Sequence, residues 1–429
     1  MSRGAEDRRP GPKERRAMTG DRGPATIDGG SGTGTARAMR VVRGGRWTRS
    51  LAAAALVAAL VLVVVACRPD AGESGARVVP AAEVASAEGF SRAEGPQTLV
   101  FPADHGPHPD FQTEWWYVTG NLETADGRHF GYQLTFFRRA LVPPAERAAR
   151  ASDWAADQIY MAHLALSDVA GRDFQAVERF SRGAAGLAGA QAVPFMVWLE
   201  DWSIAETEAG DWRLQAAAEG LSLDLTLRDT KGPILQGDRG YSRKGPEPGN
   251  ASYYYSLTRL ETAGSVQVAG ETYRVTGLSW MDHEYSTSAL SAGQVGWDWF
   301  SLQLADGSEL VVFQIRRDDG SIDPYSSGTL VAAGGGTVTL ARDDFEITVE
   351  RTWRSPHTGA DYPAGWAIRV PSANLTLRLE PYLADQELNV SYAYWEGAVR
   401  FTGEQDGRPV NGDGFVELTG YAGSMQGQF

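Results

Sequence analysis

Residues Trp116 to Arg139 read WYVTGNLETADGRHFGYQLTFFRR, and residues Trp297 to Arg317 read WDWFSLQLADGSELVVFQIRR. Each is an aromatic run, an Ala-Asp-Gly turn, a second apolar run and a closing Arg pair. In the first copy, Trp116, Val118, Gly120 and Leu122 alternate with Tyr117, Thr119 and Asn121. A period of two sends successive side chains to opposite faces, as in a half-buried strand. Asp126-Gly127 and Asp306-Gly307 carry residue types that accept the positive φ of a hairpin turn.

The same order of motifs continues outward. Leu225-Thr226-Leu227-Arg228 is echoed by Leu375-Thr376-Leu377-Arg378, and Thr276-Gly277 by Thr419-Gly420. Both Leu-Thr-Leu-Arg stretches sit in alternating runs, from Leu221 and to Leu379. Three echoes in one order favour a duplicated β-unit. Each half, at roughly 140–190 residues, is long enough for eight or more antiparallel strands. Helical stretches are few, Pro144 to Ala156 being the best. Many strands without paired helices point to barrels or sandwiches, and a barrel of about eight strands can hold one small ligand. The first boundary falls near Ser286, in the loop Ser286 to Gln294.

Composition agrees. The chain has 429 residues, 42% hydrophobic and 22% charged, with 50 Gly and 13 Trp. That length suits two domains, and that Gly and Trp content favours strands and turns. The formal charge of -14 argues against a nucleic-acid partner. A single Cys excludes an internal disulfide and a thiolate metal cluster.

The charge is uneven. Residues 1–66 carry 12 Lys+Arg against 5 Asp+Glu, and the rest carries 28 against 49. Leu51 to Ala66 contains only Leu, Ala and Val, preceded by Arg40, Arg43, Arg46 and Arg49. A basic flank before a short apolar run reads as a secretory signal. It ends Val64-Val65-Ala66-Cys67, which resembles the bacterial lipobox, and that resemblance makes Cys67 the lipidated first residue. A non-cleaved helical anchor is the other reading. Both place the body outside the cytoplasm, tied to a membrane of the bacterial cell envelope. Met39 is a candidate true start. The expected organisation is a basic arm and signal at 1–66, a flexible tether at 67–94, and two β-barrel domains at 95–288 and 289–429.

Three segments could carry chemistry. In His105-Gly-Pro-His108-Pro-Asp110, the readings are a metal site or a rigid turn feeding the first strand. Glu114 follows, sharing a face with Trp116. It is either a buried acid with raised pKa or an outward carboxylate paired to an Arg. In Trp280-Met281-Asp282-His283-Glu284-Tyr285, three ionisable groups end an apolar strand. Asp282 and Glu284 point one way and His283 the other. The readings are an acid–base cluster at a barrel mouth or a solvated strand end. In Gly296-Trp297-Asp298-Trp299-Phe300, the two tryptophans share a face opposite Asp298. They serve either an apolar ligand or the core. G-x-S-x-G, H-E-x-x-H and P-loop motifs are absent.

The stretches HPDFQTEWWYVTGNLE, GLSWMDHEYS, GWDWFSLQLADG and YWEGAVRFTG…GFVELTGY resemble the carotenoid 1,2-hydratase/AttH-like (hydroxyneurosporene synthase) family, from about Pro96 to the end. The resemblance implies an all-β fold of tandem lipocalin-like (calycin) antiparallel β-barrels. It implies an apolar, isoprenoid-like ligand and hydration of an isolated C=C bond without a redox cofactor. Asp282-His283 resembles the hydratase Asp-His core. Where family hydratases carry Trp two residues after that His, this chain has Tyr285. Asp298 is the candidate for their second acidic position.

Hydrating an unactivated alkene needs a strong acid and a wall that tolerates a cation. Asp282, His283 and Glu284 are the expected acids. Glu114, Trp116, Trp280, Tyr285, Trp297, Asp298 and Trp299 are the expected ligand contacts, with no metal and no cofactor. A non-catalytic lipid carrier and a secreted hydrolase without a recognised motif are the alternatives.

Overall fold

The computed structural model describes residues 87–147, 152–287 and 290–426. The basic arm, Met39, the apolar run, Cys67 and the tether up to residue 86 lie outside the described residues, as do Ser288 and Ala289 at the expected domain boundary.

The first half forms β1 Thr113–Glu123, β2 His129–Ala140, β3 Gln158–Asp168, β4 Asp173–Arg182, β5 Ala188–Gln191, β6 Met196–Leu199, β7 Trp202–Glu206, β8 Trp212–Ala218, β9 Leu221–Asp229, β10 Ile234–Leu235, β11 Tyr241–Arg243, β12 Ala251–Val268 and β13 Glu271–Ser286. The second half forms β14 Gln294–Leu304, β15 Glu309–Arg317, β16 Ser327–Val331, β17 Thr337–Ala341, β18 Glu346–Val349, β19 Thr352–Arg354, β20 Asp361–Pro363, β21 Trp366–Val370, β22 Leu375–Pro381, β23 Glu387–Asn389, β24 Ala393–Gln405 and β25 Arg408–Leu418.

Among the described residues these make a 13-stranded sheet, ordered β4-β3-β2-β1-β13-β12-β9-β8-β7-β6-β5 with β10 and β11 also paired to β12, a 10-stranded sheet, ordered β17-β16-β15-β14-β25-β24-β22-β21-β18 with β23 also paired to β24, and the small pair β19-β20. Neighbours are antiparallel, and β3 and β4 at one end of the first sheet come back against β5 and β6 at the other. Both sheets curl into lipocalin-like barrels.

The duplication is visible in the topology. The run β1-β13-β12-β9-β8 has the same order as β14-β25-β24-β22-β21. Both Ala-Asp-Gly turns close with a glycine N–H: Gly127 N to Thr124 O at 3.0 Å, Gly307 N to Leu304 O at 3.1 Å. Their φ angles of 85° and 88° require glycine. One echo needs correction. Gly277 stands opposite Leu122 on β1, and the residue opposite the matching Leu302 is Gly414, while Thr419-Gly420 lies beyond the end of β25. A two-residue match carries no register by itself.

Two other expectations change. Among the described residues, the stretch from Pro144 forms one 3-10 turn, Pro144–Glu146, and Ser152 to Ala156 is not helical. The end of the tether is not free: Phe90 and Ala93 are buried, and Ser91 N donates to Asp110 O at 2.9 Å.

Each barrel is filled by its own side chains. Trp116, Phe130, Trp202 and Tyr255 pack in the first; Phe300, Trp366 and Trp395 pack in the second. The ligand space expected within or between the barrels therefore lies between them. Alternate residues of β1, β2, β12 and β13 face out of the first barrel onto β14, β15, β24 and β25 of the second. A separate apolar cluster forms there, including Tyr117, Trp280, Trp299, Phe313 and Phe415.

Polar clamps fix the seam. Asn121 Nδ2 donates to Gly414 O at 2.9 Å, and Gln303 Nε2 to Thr258 O at 2.7 Å. Buried Glu309 accepts from Arg259 Nε at 2.5 Å and Lys231 Nζ at 2.6 Å. A methyl group at Gly131 would stand 2.3 Å from the Ala398 Cβ across the seam. Gly131→Ala is expected to lower stability by about 1–3 kcal/mol, the usual effect of overpacking. The urea midpoint measures this; an unchanged midpoint would show that the barrels can part freely there.

Candidate active site

Alternation along β13 divides its ionisable trio. Asp282 and Glu284 enter the seam, and His283 enters the first barrel. In the seam lies a cavity of about 130 Å³. Trp115, Tyr117 and Phe137 wall it from the first barrel, and Trp297, Trp299 and Phe313 from the second. Its charged lining is Asp282, Glu284, Lys244 and Glu417.

Asp282 is 4% exposed. Its carboxyl accepts from the Ser256 hydroxyl at 2.5 Å, Trp280 Nε1 at 2.7 Å and the Tyr254 hydroxyl at 2.6 Å. Trp299 Nε1 in turn donates to the Tyr254 oxygen at 3.1 Å. Burial pushes the carboxyl up, the three donors pull it back, and the balance is about 7. Near neutral pH it is an acid and a conjugate base in comparable amounts. Glu284 lies 3.1 Å from Lys244 Nζ, which also sits 4.3 Å from the Phe313 ring centre.

Glu417 was not among the expected site residues. Burial, with Asp282 and Glu284 as neighbouring charges, raises its carboxyl to about 7 against the Trp297 Nε1 bond at 2.7 Å. Glu396, two strands from β14, is buried beside it. The available signal was the context: in YWEGAV and GFVELT the glutamates stand between apolar residues, so both faces of the strand are greasy.

The other expected residues lie elsewhere. Glu114, Trp116, His283 and Tyr285 sit together inside one end of the first barrel, away from the cavity lining. Glu114 accepts from Arg138 Nε at 2.7 Å, and its oxygen lies 2.8 Å from His108 Nδ1 and 2.9 Å from His283 Nε2. Burial alone would raise this carboxyl; the Arg138 guanidinium and the histidine hydrogen bonds hold it well below its ordinary range. Neither reading of Glu114 holds whole: the side chain is buried, and it is paired to Arg138 with its pKa lowered. The His283 ring stacks on Trp116, and burial lowers its pKa. The His108 ring stacks 3.5 Å from Tyr285.

His108, Glu114 and His283 offer ligand atoms within 4.8 Å of one another. Arg138 and a His108 whose pKa is raised by Asp104 and Glu114 over the opposing effect of burial already balance the two carboxylates. The sequence trio His105, His108 and Asp110 is not assembled: His105 meets Tyr255 at 2.7 Å, and Asp110 is exposed. Asp298 turns into the second barrel, accepting from Arg316 Nε at 2.9 Å and Gln314 Nε2 at 2.8 Å. Trp280 lies behind the cavity, bonded to Asp282. Trp297 and Trp299 line it.

By sequence comparison, the AttH-like family model covers residues 92–421. The chain belongs to the AttH-like family. A solved structure of a protein designated AttH from Nitrosomonas europaea is 38% identical, with a TM-score of 0.69, over 77% of this chain and 100% of that one. Kievitone hydratase from Nectria haematococca is 17% identical with a TM-score of 0.58, over 78% and 98% of the two chains, and shares the fold of this AttH-like protein. The dehydratase asqC of Emericella nidulans is 23% identical over 217 residues, 48% of this chain and 60% of that protein. This AttH-like protein thus matches three fifths of that relative's length.

Proposed function

We propose that the protein is a hydro-lyase that adds water to, or removes it from, an apolar isoprenoid-like molecule held between the barrels, in the manner of carotenoid 1,2-hydratases. The observation that carries this is Asp282: a buried carboxyl poised at about 7 and facing an aromatic cavity. A hydratase and a dehydratase among the similar proteins support it.

In the forward direction the Asp282 O–H bond breaks as the alkene π pair forms a C–H bond. The adjacent carbon becomes a tertiary cation, which Trp297, Trp299 and Trp115 stabilise through their ring faces. Water adds to the cation and gives up a proton to a carboxylate in the cavity. The sum is one water across one double bond, with no change of redox state.

Size narrows the substrate. An apolar cavity of about 150 Å³ holds a benzene, so about 130 Å³ takes one ring or one branched five-carbon unit. A long polyene would insert only its end. A carrier of whole lipids would need a larger space, commonly about 300–1,000 Å³. A serine or cysteine hydrolase would need a histidine-activated nucleophile, and no histidine lines the cavity among the described residues.

The full chain, incubated with terminal isoprenoid alkenes and the matching tertiary alcohols, is expected to shift product mass by one water. Unchanged substrates across such a panel would overturn the reading. We further propose that a lipid on Cys67 ties the body to the membrane outside the cytoplasm; the basic flank, apolar run and Val64-Val65-Ala66-Cys67 support it. Labelling with a clickable fatty acid in a bacterial host should mark the wild type and not Cys67→Ser.

A further inference from the structure

Water addition also needs a proton acceptor, and the second barrel holds a pair of carboxyls suited to it. In the register of β24 and β25, Glu396 stands directly opposite Glu417. Directly opposed residues have Cβ atoms about 4.5–5.5 Å apart. Both side chains turn into the seam. Glu417 lines the cavity, and Glu396 is 1% exposed just behind it. Trp297 Nε1 donates to Glu417 Oε2, and the Tyr117 hydroxyl donates to Glu396 Oε2, each at 2.7 Å. Glu396 Oε1 has no hydrogen-bond partner. Among the described residues neither carboxyl makes an ion pair.

Among the described residues that line the cavity, Lys244 is the one cation, and it is paired elsewhere. From β1 comes the Tyr117 hydroxyl, and from β13 the acids Asp282 and Glu284. Lys244 is engaged by Glu284. From β24 and the turn before it come Tyr394 and Tyr392. Behind Tyr394 stands His163, 2.6 Å from its hydroxyl and 2.9 Å from Glu178. His163 is neutral in tendency, since burial lowers its pKa over the effect of Glu178. Two carboxylates on opposed residues in an apolar wall, with no cation of their own, disfavour each other's ionisation.

Resting on the hydro-lyase reading above, we propose that Glu396 and Glu417 form a proton-sharing pair that is the second acid–base centre of the cavity. Glu417, at the wall, is the catalytic member. It takes the proton released by the adding water, while Asp282 has given one to carbon. Returning that proton from Glu417 to Asp282 resets the site, so each turnover balances. Glu396 is a positioning residue. It stays protonated and offers its O–H to the Glu417 carboxylate, keeping that carboxylate ionisable at neutral pH in an apolar wall. The directions of the two carboxyls agree: burial raises both, Glu417 to about 7, and the Glu417 charge lifts Glu396 further, well above its ordinary range. The substrate class this implies is an alkene, or the corresponding tertiary alcohol, that reacts through a carbocation; a hydride-transfer site has no use for paired acids.

Side-chain carboxyl titration by carbon NMR of the isotope-labelled full chain tests the pair without any substrate. Glu417→Gln should lower the Glu396 midpoint by about one pH unit or more, the usual size of a coupled titration. Glu396→Gln should remove the highest-titrating carboxyl and displace the Glu417 midpoint. Circular dichroism checks that both amide variants fold. Midpoints that ignore the partner's substitution would overturn the pair, whatever the enzyme does. With an active substrate, Glu417→Gln should lower kcat by about 10²–10⁴-fold, and Glu396→Gln should shift the basic limb of the pH–rate profile while retaining turnover. Coupled titration with full activity in Glu417→Gln would overturn the catalytic role alone. Coupled titration with no turnover of any panel member by wild type would point instead at the hydro-lyase reading.

Discussion

Asp282→Asn is expected to lower water addition by about 10²–10⁴-fold and, in the same molecule, to flatten the dependence of stability on pH. Asparagine keeps the shape of the protonated acid, with an oxygen for the Ser256 and Trp280 donors and an N–H toward the Tyr254 oxygen, but has no proton to give to carbon. The stability effect follows from linkage. An unfolded aspartate has a pKa of about 3.9, and Asp282 in the fold sits at about 7. Between those values the folded state binds more protons than the unfolded chain. Stability therefore falls as pH rises from about 4 to about 7 and stays at the lower level above. Three pH units correspond to about 4 kcal/mol. Urea unfolding at about pH 4 and pH 8 should show that much less pH-dependent loss in the variant. An equal slope in both proteins would mean that Asp282 ionises like a surface carboxylate and is no acid at neutral pH.

Arg138→Leu should be the most destabilising single change in the first barrel, at about 3–5 kcal/mol, because it leaves Glu114 as a buried charge without its partner. Both side chains are fully buried at 2.7 Å. Arg138 also donates to the carbonyls of His108 and Phe111, each at 2.9 Å, so it ties the 104–111 segment over the barrel end. The double variant Glu114→Gln, Arg138→Leu should recover part of the loss, since no charge then remains to be buried. The pH sense is opposite to that of Asp282. Glu114 is held below its ordinary range, so its contribution is present above about pH 4.3 and is lost as pH falls through the lower folded value. Guanidinium midpoints for the two variants measure the difference. A double variant no more stable than Arg138→Leu would show that the carbonyl bonds, and not the charge pair, hold the segment.

These two carboxylates show why some of the site was legible and some was not. Asp282 stands two residues after Trp280 and Glu114 just before Trp115, and a buried acid was one of two readings for each. Alternation correctly put Glu114 on the Trp116 face and set Asp282 and Glu284 opposite His283. It could not say which face looked into a barrel and which into the seam, because β1, β13 and β14 are buried on both sides. Arg138, which turns Glu114 from an acid into half of an ion pair, lies 24 residues away on β2, and its place opposite Glu114 is a matter of register. Asp298 stood between two cavity tryptophans and still turned away, toward Arg316, for the same reason of alternation.

By itself the sequence determined the all-β class, the duplicated hairpin with its glycine turns, the alternation of faces and the family. Those are local properties, set by a period of two and by residues that only certain backbone angles accept. Tertiary structure alone decided that the barrels are filled, that the cavity lies between them, and that Glu417, with Glu396 behind it, lines the same cavity as Asp282. Burial of a carboxyl and its nearest charges are sums over strands distant in the chain, and proton affinity follows from those sums.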